Sequence, residues 1–284
     1  MTSGNIYTST IGTRIYQRTF ETSEEPLAGA LLLHGLGEHC ERHEKHLELF
    51  AQHGIQCQTF DWPGHGKTEG RRGHIESMEM ITTLVKEQLY MLRNTLGPNK
   101  QVGLLGHSMG GFLALYHLAR YPDIADFAWI NSPIIDPEAN TSWLKRRLAR
   151  ILHSLCPRFQ IQSGVRATQC RQGPAKRADP LMHHLLSVRL GSVLVDGARA
   201  LQDRVSSIDP DLLLLMTHGE ADVVCTARFS KALFDRLPNR AKSYQLLPGL
   251  LHEPFRDQCS EAFYQVLENW IENDLVPRFA KYSI

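Results

Sequence analysis

A serine hydroxyl, an imidazole and a carboxylate can together transfer an acyl group. The ring takes the hydroxyl proton as the oxygen attacks a carbonyl, and the acid orients the ring and stabilises its charged form. Ser108, His252 and Asp222 are placed in the chain to do this work. Ser108 lies in Gly106-His107-Ser108-Met109-Gly110-Gly111, after an apolar run from Gln101 and before a segment where Phe112, Leu115, Tyr116 and Ala119 recur at i, i+3, i+4 and i+7. That pattern is a strand, a sharp turn and a helix, with the serine at the tip. Gly106 and Gly110 stand two residues to either side, where a Cβ would collide as strand and helix approach. Gly-x-Ser-x-Gly by itself also describes a glycine-rich turn with a solvated serine, and it is the flanking strand and helix that favour an activated nucleophile.

The partners are sought at strand ends, where parallel sheets place their sites. Leu212 to Thr217 reads as a strand running into His218-Gly219-Glu220-Ala221-Asp222, and Lys242 to Leu247 as one running into Pro248-Gly249-Leu250-Leu251-His252. Asp222 is preferred to Glu220 because it lies further round its loop. His252 is preferred to His218, which precedes the acid and is read as capping its strand. Acyl transfer also builds an oxyanion, which preorganised backbone N–H groups must meet. Met109, directly after the serine, offers one, and Leu36 in His34-Gly35-Leu36-Gly37 offers the second. His34 and Gly35 are read as shaping that turn.

Around these residues the chain alternates. Asn5 to Arg18 reads as a hairpin about Gly12-Thr13, and Ala28 to Leu33 and Ile55 to Phe60 as buried strands. Glu44 to His53 and Ser77 to Leu96 read as helices, the second stopped by Gly97-Pro98-Asn99. Ile124 to Asn131 supplies a further strand, and helices follow near Thr226 to Leu237 and Ser260 to Ile271. Strands alternating with helices of this length imply an α/β fold, a mostly parallel sheet with helices on both faces. Between Pro133 and about Ser207 the alternation fails, and an inserted helical lid is expected over 133–207, with the core formed by 1–132 and 208–284.

With 284 residues, 42% of them hydrophobic, the chain can bury a full core, and its net charge of +1 argues against an ordinary basic nucleic-acid binder. The six cysteines show no C-x-x-C pairing. No apolar run suggests a leader or a span, so a cytoplasmic location is the default expectation. Charge is concentrated in one place. From Asn140 to Pro180 nine Lys/Arg face one acid, Asp179, which makes that stretch +8 and the remainder −7. Ser142 to Leu155 within it reads as a basic amphipathic helix, with Leu144, Leu148, Ile151, Leu152 and Leu155 on one face. That helix suits peripheral contact with an anionic membrane, or else simple packing on the core. His39, His43 and His46 imitate a metal site but are expected to be solvated, and His183-His184 is ambiguous. No phosphate loop or dinucleotide fingerprint is present, so no cofactor and no metal are expected.

His34-Gly35-Leu36-Gly37-Glu38-His39, Asp61-Trp62-Pro63-Gly64-His65-Gly66-Lys67-Thr68-Glu69-Gly70, Gly106-His107-Ser108-Met109-Gly110-Gly111 and the later Asp222 and His252 together resemble the monoacylglycerol lipase and lysophospholipase branch of the serine α/β-hydrolases. The resemblance spans nearly the whole chain, and Asp179-Pro180-Leu181 is similar to a segment of that family's lid. It implies Ser108 as nucleophile, His252 as base, Asp222 as acid, and Leu36 and Met109 as oxyanion donors. It further implies a small lipid ester, foremost a monoacylglycerol, as substrate. Thr68 stands where the family usually has serine. A lysophospholipase or general carboxylesterase is the nearest alternative, followed by a peptidase or amidase and by a non-catalytic binding protein of the same fold.

Overall fold

The computed structural model describes residues 2–139, 152–173 and 178–280. Eight strands form one sheet: β1 (Thr2–Thr8), β2 (Arg14–Phe20), β3 (Ala28–Leu33), β4 (Ile55–Phe60), β5 (Gln101–His107), β6 (Phe127–Asn131), and, after a two-stranded ribbon of β7 (Gln160–Gln162) and β8 (Leu185–Ser187), β9 (Leu213–Gly219) and β10 (Lys242–Leu247). Their spatial order is β1-β2-β4-β3-β5-β6-β9-β10. β1 and β2 pair antiparallel, as does β2 with β4, while every pair from β4 to β10 is parallel. β3, β4 and β10 have the bounds expected from the sequence. β6 starts three residues later than expected, because Pro122 opens a 3-10 turn, Pro122–Ile124, that delays it.

The period-two alternation of each strand divides the core. Leu31 and Leu33 face one apolar layer and Ala30 and Leu32 the other. Helices α2 (Met78–Leu96), α3 (Met109–Arg120), α4 (Val188–Arg204) and α5 (Ala227–Arg236) close the first layer, whereas α1 (Glu44–Gln52) and α6 (Glu261–Trp270) close the second. Each fully buried leucine contributes about 1.5–3 kcal/mol relative to exposure. α2 begins at Ser77, whose side chain accepts the Met80 N–H, and ends at Gly97 in the left-handed region.

α3 approaches β3 and β5 closely. A Cβ built on Gly110 would stand 1.9 Å from the Leu33 carbonyl oxygen, and one on Gly106 would stand 2.4 Å from the Gly110 oxygen. Both obstacles are backbone, so neither can rotate away. Gly110→Ala is therefore expected to force strand and helix apart and lower the unfolding free energy by at least about 1–3 kcal/mol. An unchanged denaturant midpoint would contradict this packing.

Between β6 and β9 the chain leaves the sheet. β7 and β8 pair antiparallel, a helical turn spans Ala167–Cys170, and α4 returns to the core by burying Leu190, Leu194, Ala198 and Leu201. The excursion is pinned to loops of the sheet: Ser187 N–H donates to the Gly73 carbonyl (2.8 Å) and His183 N–H to that of Gly37 (2.9 Å). Most of the expected basic helix Ser142 to Leu155, including Lys145, Arg146, Arg147 and Arg150, lies outside the described residues. Among the described residues no helix is long and apolar enough to cross a membrane.

Candidate active site

Ser108 sits between β5 and α3 with φ 53° and ψ −116°, one of two non-glycine residues with positive φ among the described residues, the other being Ser132. Such a conformation costs of order 1–3 kcal/mol and persists only where the surroundings impose it. Here Ser108 N–H donates to the Asn131 carbonyl (3.0 Å), and the Ser108 carbonyl accepts Phe112 N–H (3.0 Å) and Ile134 N–H (3.2 Å). The half-buried hydroxyl is thereby aimed out of the turn at the His252 ring.

The three residues singled out in the sequence meet. His252 Nε2 lies 2.9 Å from Ser108 Oγ, and His252 Nδ1 lies 2.8 Å from Asp222 Oδ2. Since a carboxylate only accepts, Nδ1 carries the hydrogen, and Nε2 is left as the acceptor that faces the serine. Asp222 Oδ1 takes the N–H groups of Val224 (2.7 Å) and Cys225 (2.9 Å). Glu220 is exposed and accepts from Gly249 N–H (3.2 Å), away from this line. Burial works to raise the Asp222 pKa, but the His252 charge and the hydrogen bonds from His218 and His252 outweigh it and hold the carboxyl well below its usual range. For His252 burial pulls down, the Asp222 charge and hydrogen bond pull up, and the net shift is upward.

Met109 opens α3, where the first-turn N–H groups have no partner within the helix. The turn after β3 passes so close that a Cβ on Gly35 would stand 3.1 Å from the Ser108 Cβ. This turn carries Leu36, and several contacts fix it. Gly35 N–H donates to Glu38 Oε1 (2.5 Å), and His34 Nδ1 donates to the Gly35 carbonyl (2.8 Å) while its Nε2 accepts Trp62 N–H (3.1 Å). Burial pushes the His34 pKa well down, as suits a ring used in this neutral form.

Beneath the turn lies a charge network that sequence reasoning missed. Glu38 binds Arg42 (3.1 Å) and His43 (3.3 Å), and Arg42 reaches on to Glu253 (2.6 Å), the neighbour of His252. The expectation that His39, His43 and His46 are solvated is corrected: all three are buried. They do not converge on one point. His39 turns to Asp179 (2.9 Å), whereas His43 and His46 share a hydrogen at 3.0 Å against Phe255. His218, expected to cap its strand, instead lies on Asp222 (3.1 Å). His183 packs on His65, with ring centroids 4.7 Å apart. Also unforeseen is a gathering of His53, Glu268 and Glu272, whose ligand atoms lie within 4.8 Å, with His53 and Glu272 at ion-pair distance (3.2 Å).

A cavity of about 1270 Å³ opens beside Leu36, walled by Ile134 and Val224 from the sheet's loops and by Val165, Leu186 and Leu194 from the excursion. Its lining is chiefly apolar, and it is larger than the roughly 300–1000 Å³ usual for small-molecule sites.

A family model described as serine aminopeptidase, S33, matches residues 24–259. An uncharacterised abhydrolase domain-containing protein of Dictyostelium discoideum is 29% identical over 90% of this chain, which spans only 27% of that protein's length. The monoacylglycerol lipase of Mycolicibacterium smegmatis is 25% identical, with 93% of this chain and 95% of that one covered. Among solved structures, the monoacylglycerol lipase of Paleococcus ferrophilus aligns with a TM-score of 0.82 at 28% identity, covering 93% of this chain and 98% of that one. With most of its length matched and its sheet, turn and crossovers in this order, the chain belongs to the serine aminopeptidase S33 family of hydrolases and has the α/β-hydrolase fold.

Proposed function

We propose that this carboxylic ester hydrolase cleaves lipid esters, foremost a monoacylglycerol to fatty acid and glycerol, through an acyl-serine at Ser108. The alignment of Ser108 Oγ, His252 and Asp222 at 2.9 and 2.8 Å carries the reading. In it His252 Nε2 takes the serine proton as Oγ attacks the ester carbonyl, and the oxyanion is met by Leu36 and Met109 N–H. Collapse expels glycerol, which leaves with the proton from His252. Water then gives a proton to the same ring, attacks the acyl carbon and releases the fatty acid, and Ser108 recovers its hydrogen.

Relatives named as monoacylglycerol lipases and the apolar cavity favour a lipid over a small polar ester. In this reading 1–132 and 208–284 form the core and 133–207 the cap over the cavity. It extends to a cytoplasmic enzyme whose basic cap stretch meets anionic lipid surfaces, supported by the charge of that stretch alone.

The family's description makes an aminopeptidase the second reading, and an amine terminus would need unpaired carboxylates. Glu138 and Asp196 do line the cavity, but both are paired with Arg199, at 3.0 and 3.3 Å. A panel of monoacylglycerols, lysophospholipids, p-nitrophenyl esters and aminoacyl p-nitroanilides separates the two. Monoacylglycerols should give the highest kcat/KM and the anilides none, and a preference for the anilides would overturn the proposal.

A further inference from the structure

Asp222 has a second imidazole on it. His218, at the end of β9, places Nε2 3.1 Å from Asp222 Oδ2 and 2.5 Å from the Cys225 carbonyl oxygen, with Nδ1 2.7 Å from Ser230 Oγ. Both oxygens at Nε2 only accept, so Nε2 carries a hydrogen. Behind it, the Ser230 hydroxyl reaches the Ala227 carbonyl (2.9 Å) and the Tyr244 hydroxyl (2.9 Å). His218 and Ser230 are fully buried, so no water competes for the ring. Asp222 thus accepts from two backbone N–H groups on Oδ1 and from two imidazoles on Oδ2. Every donor on a carboxylate stabilises its charge and weakens its hold on any other proton nearby.

We propose that His218 is a positioning residue of the hydrolytic site: it fixes the Asp222 carboxylate and, by sharing Oδ2, limits how strongly the acid holds a proton on His252. The inference rests on the triad reading given above.

The other groups facing His252 are Glu253 beside it in the chain, Glu38 across the site, and His107, whose ring centroid is 4.9 Å away. Glu253 and Glu38 are both bound to Arg42, which offsets their charge, whereas Asp222 holds the His252 nitrogen directly. The ring must be neutral to take the serine proton, so kcat/KM falls on the acid side through the His252 pKa. Removing His218 takes one donor from Oδ2, and the carboxylate then draws the His252 proton more strongly. The His252 pKa rises, and the acid limb moves to higher pH.

The test is the pH profile of kcat/KM for ester hydrolysis in the parent, His218→Leu and His218→Gln. The limb should move up by about 0.5–1 pH unit in His218→Leu. His218→Gln can set an amide N–H2 where Nε2 stood and should restore the parental limb. A purely structural role would lower rates at every pH and leave the limb in place. An active parent with an unmoved limb in His218→Leu, or equal movement in both variants, overturns this inference alone. A parent without ester hydrolysis overturns the functional reading and this inference with it. Should His218→Leu not fold, the side-chain ¹⁵N spectrum of the parent decides, since hydrogen on Nδ1 with a bare Nε2 overturns the inference and hydrogen on Nε2 supports it.

Discussion

Ser108→Ala is expected to lose covalent labelling by a fluorophosphonate probe and to lower kcat/KM by about 10⁴–10⁶-fold, the loss found when a nucleophile of such a unit is deleted. In barrier terms this is about 5–8 kcal/mol. The fold should survive, because the positive φ at this position strains serine and alanine alike. What is lost is the Oγ contact to His252 Nε2, in a partly open position. Intact-mass analysis after probe treatment and a thermal melt of the same sample separate chemistry from stability. Labelling that persists in Ser108→Ala would remove this residue from the mechanism.

His252→Ala should cost about as much as Ser108→Ala, since either change leaves the proton of the attacking oxygen without a path. Residues that act as a unit do not add, so the double variant should be scarcely slower than either single one. Asp222→Asn should be milder, down on the order of 10⁴-fold with measurable turnover left, because the acid orients and stabilises the ring without itself taking the proton. The amide would offer N–H toward His252 Nδ1 and favour the wrong tautomer, while the Val224 and Cys225 N–H groups would keep an oxygen to bond. Steady-state rates across these four variants and His218→Ala suffice. Normal turnover in His252→Ala together with loss in His218→Ala would show that the other histidine is the base.

Legibility in the sequence followed the range of the interactions concerned. β3 could be bounded because a continuous apolar run between turn residues is a local signal, and the turn at Ser108 because Gly106 and Gly110 answer to contacts made within a few residues or by the next strand. The meeting of Ser108, Asp222 and His252 was accessible because all three follow strands whose ends lie at one edge of the sheet. Single residues were misread where partners come from far away. The burial of His43 depends on Phe255 from near the far end of the chain, and Arg42, which the sequence did not single out, is held by Glu253, 211 positions on. His218 looked like a strand cap because Ser230, which engages its Nδ1, belongs to α5 and is itself held by Tyr244 of β10. β7 and β8 went unforeseen because three residues cannot display a period.

The parallel order of the sheet has a kinetic consequence. Ser108 and His252 are 144 positions apart, and the strands that deliver them are joined only through long crossovers, with β6 and β9 standing between. Closing loops of that size must precede the contacts that reward it, so such sheets assemble slowly. The serine elbow can form early from neighbouring residues, but it has no base until β10 docks on β9. On dilution from denaturant, helical signal and elbow therefore return before hydrolysis does, and an activity assay counts only those chains in which the last strand is in place.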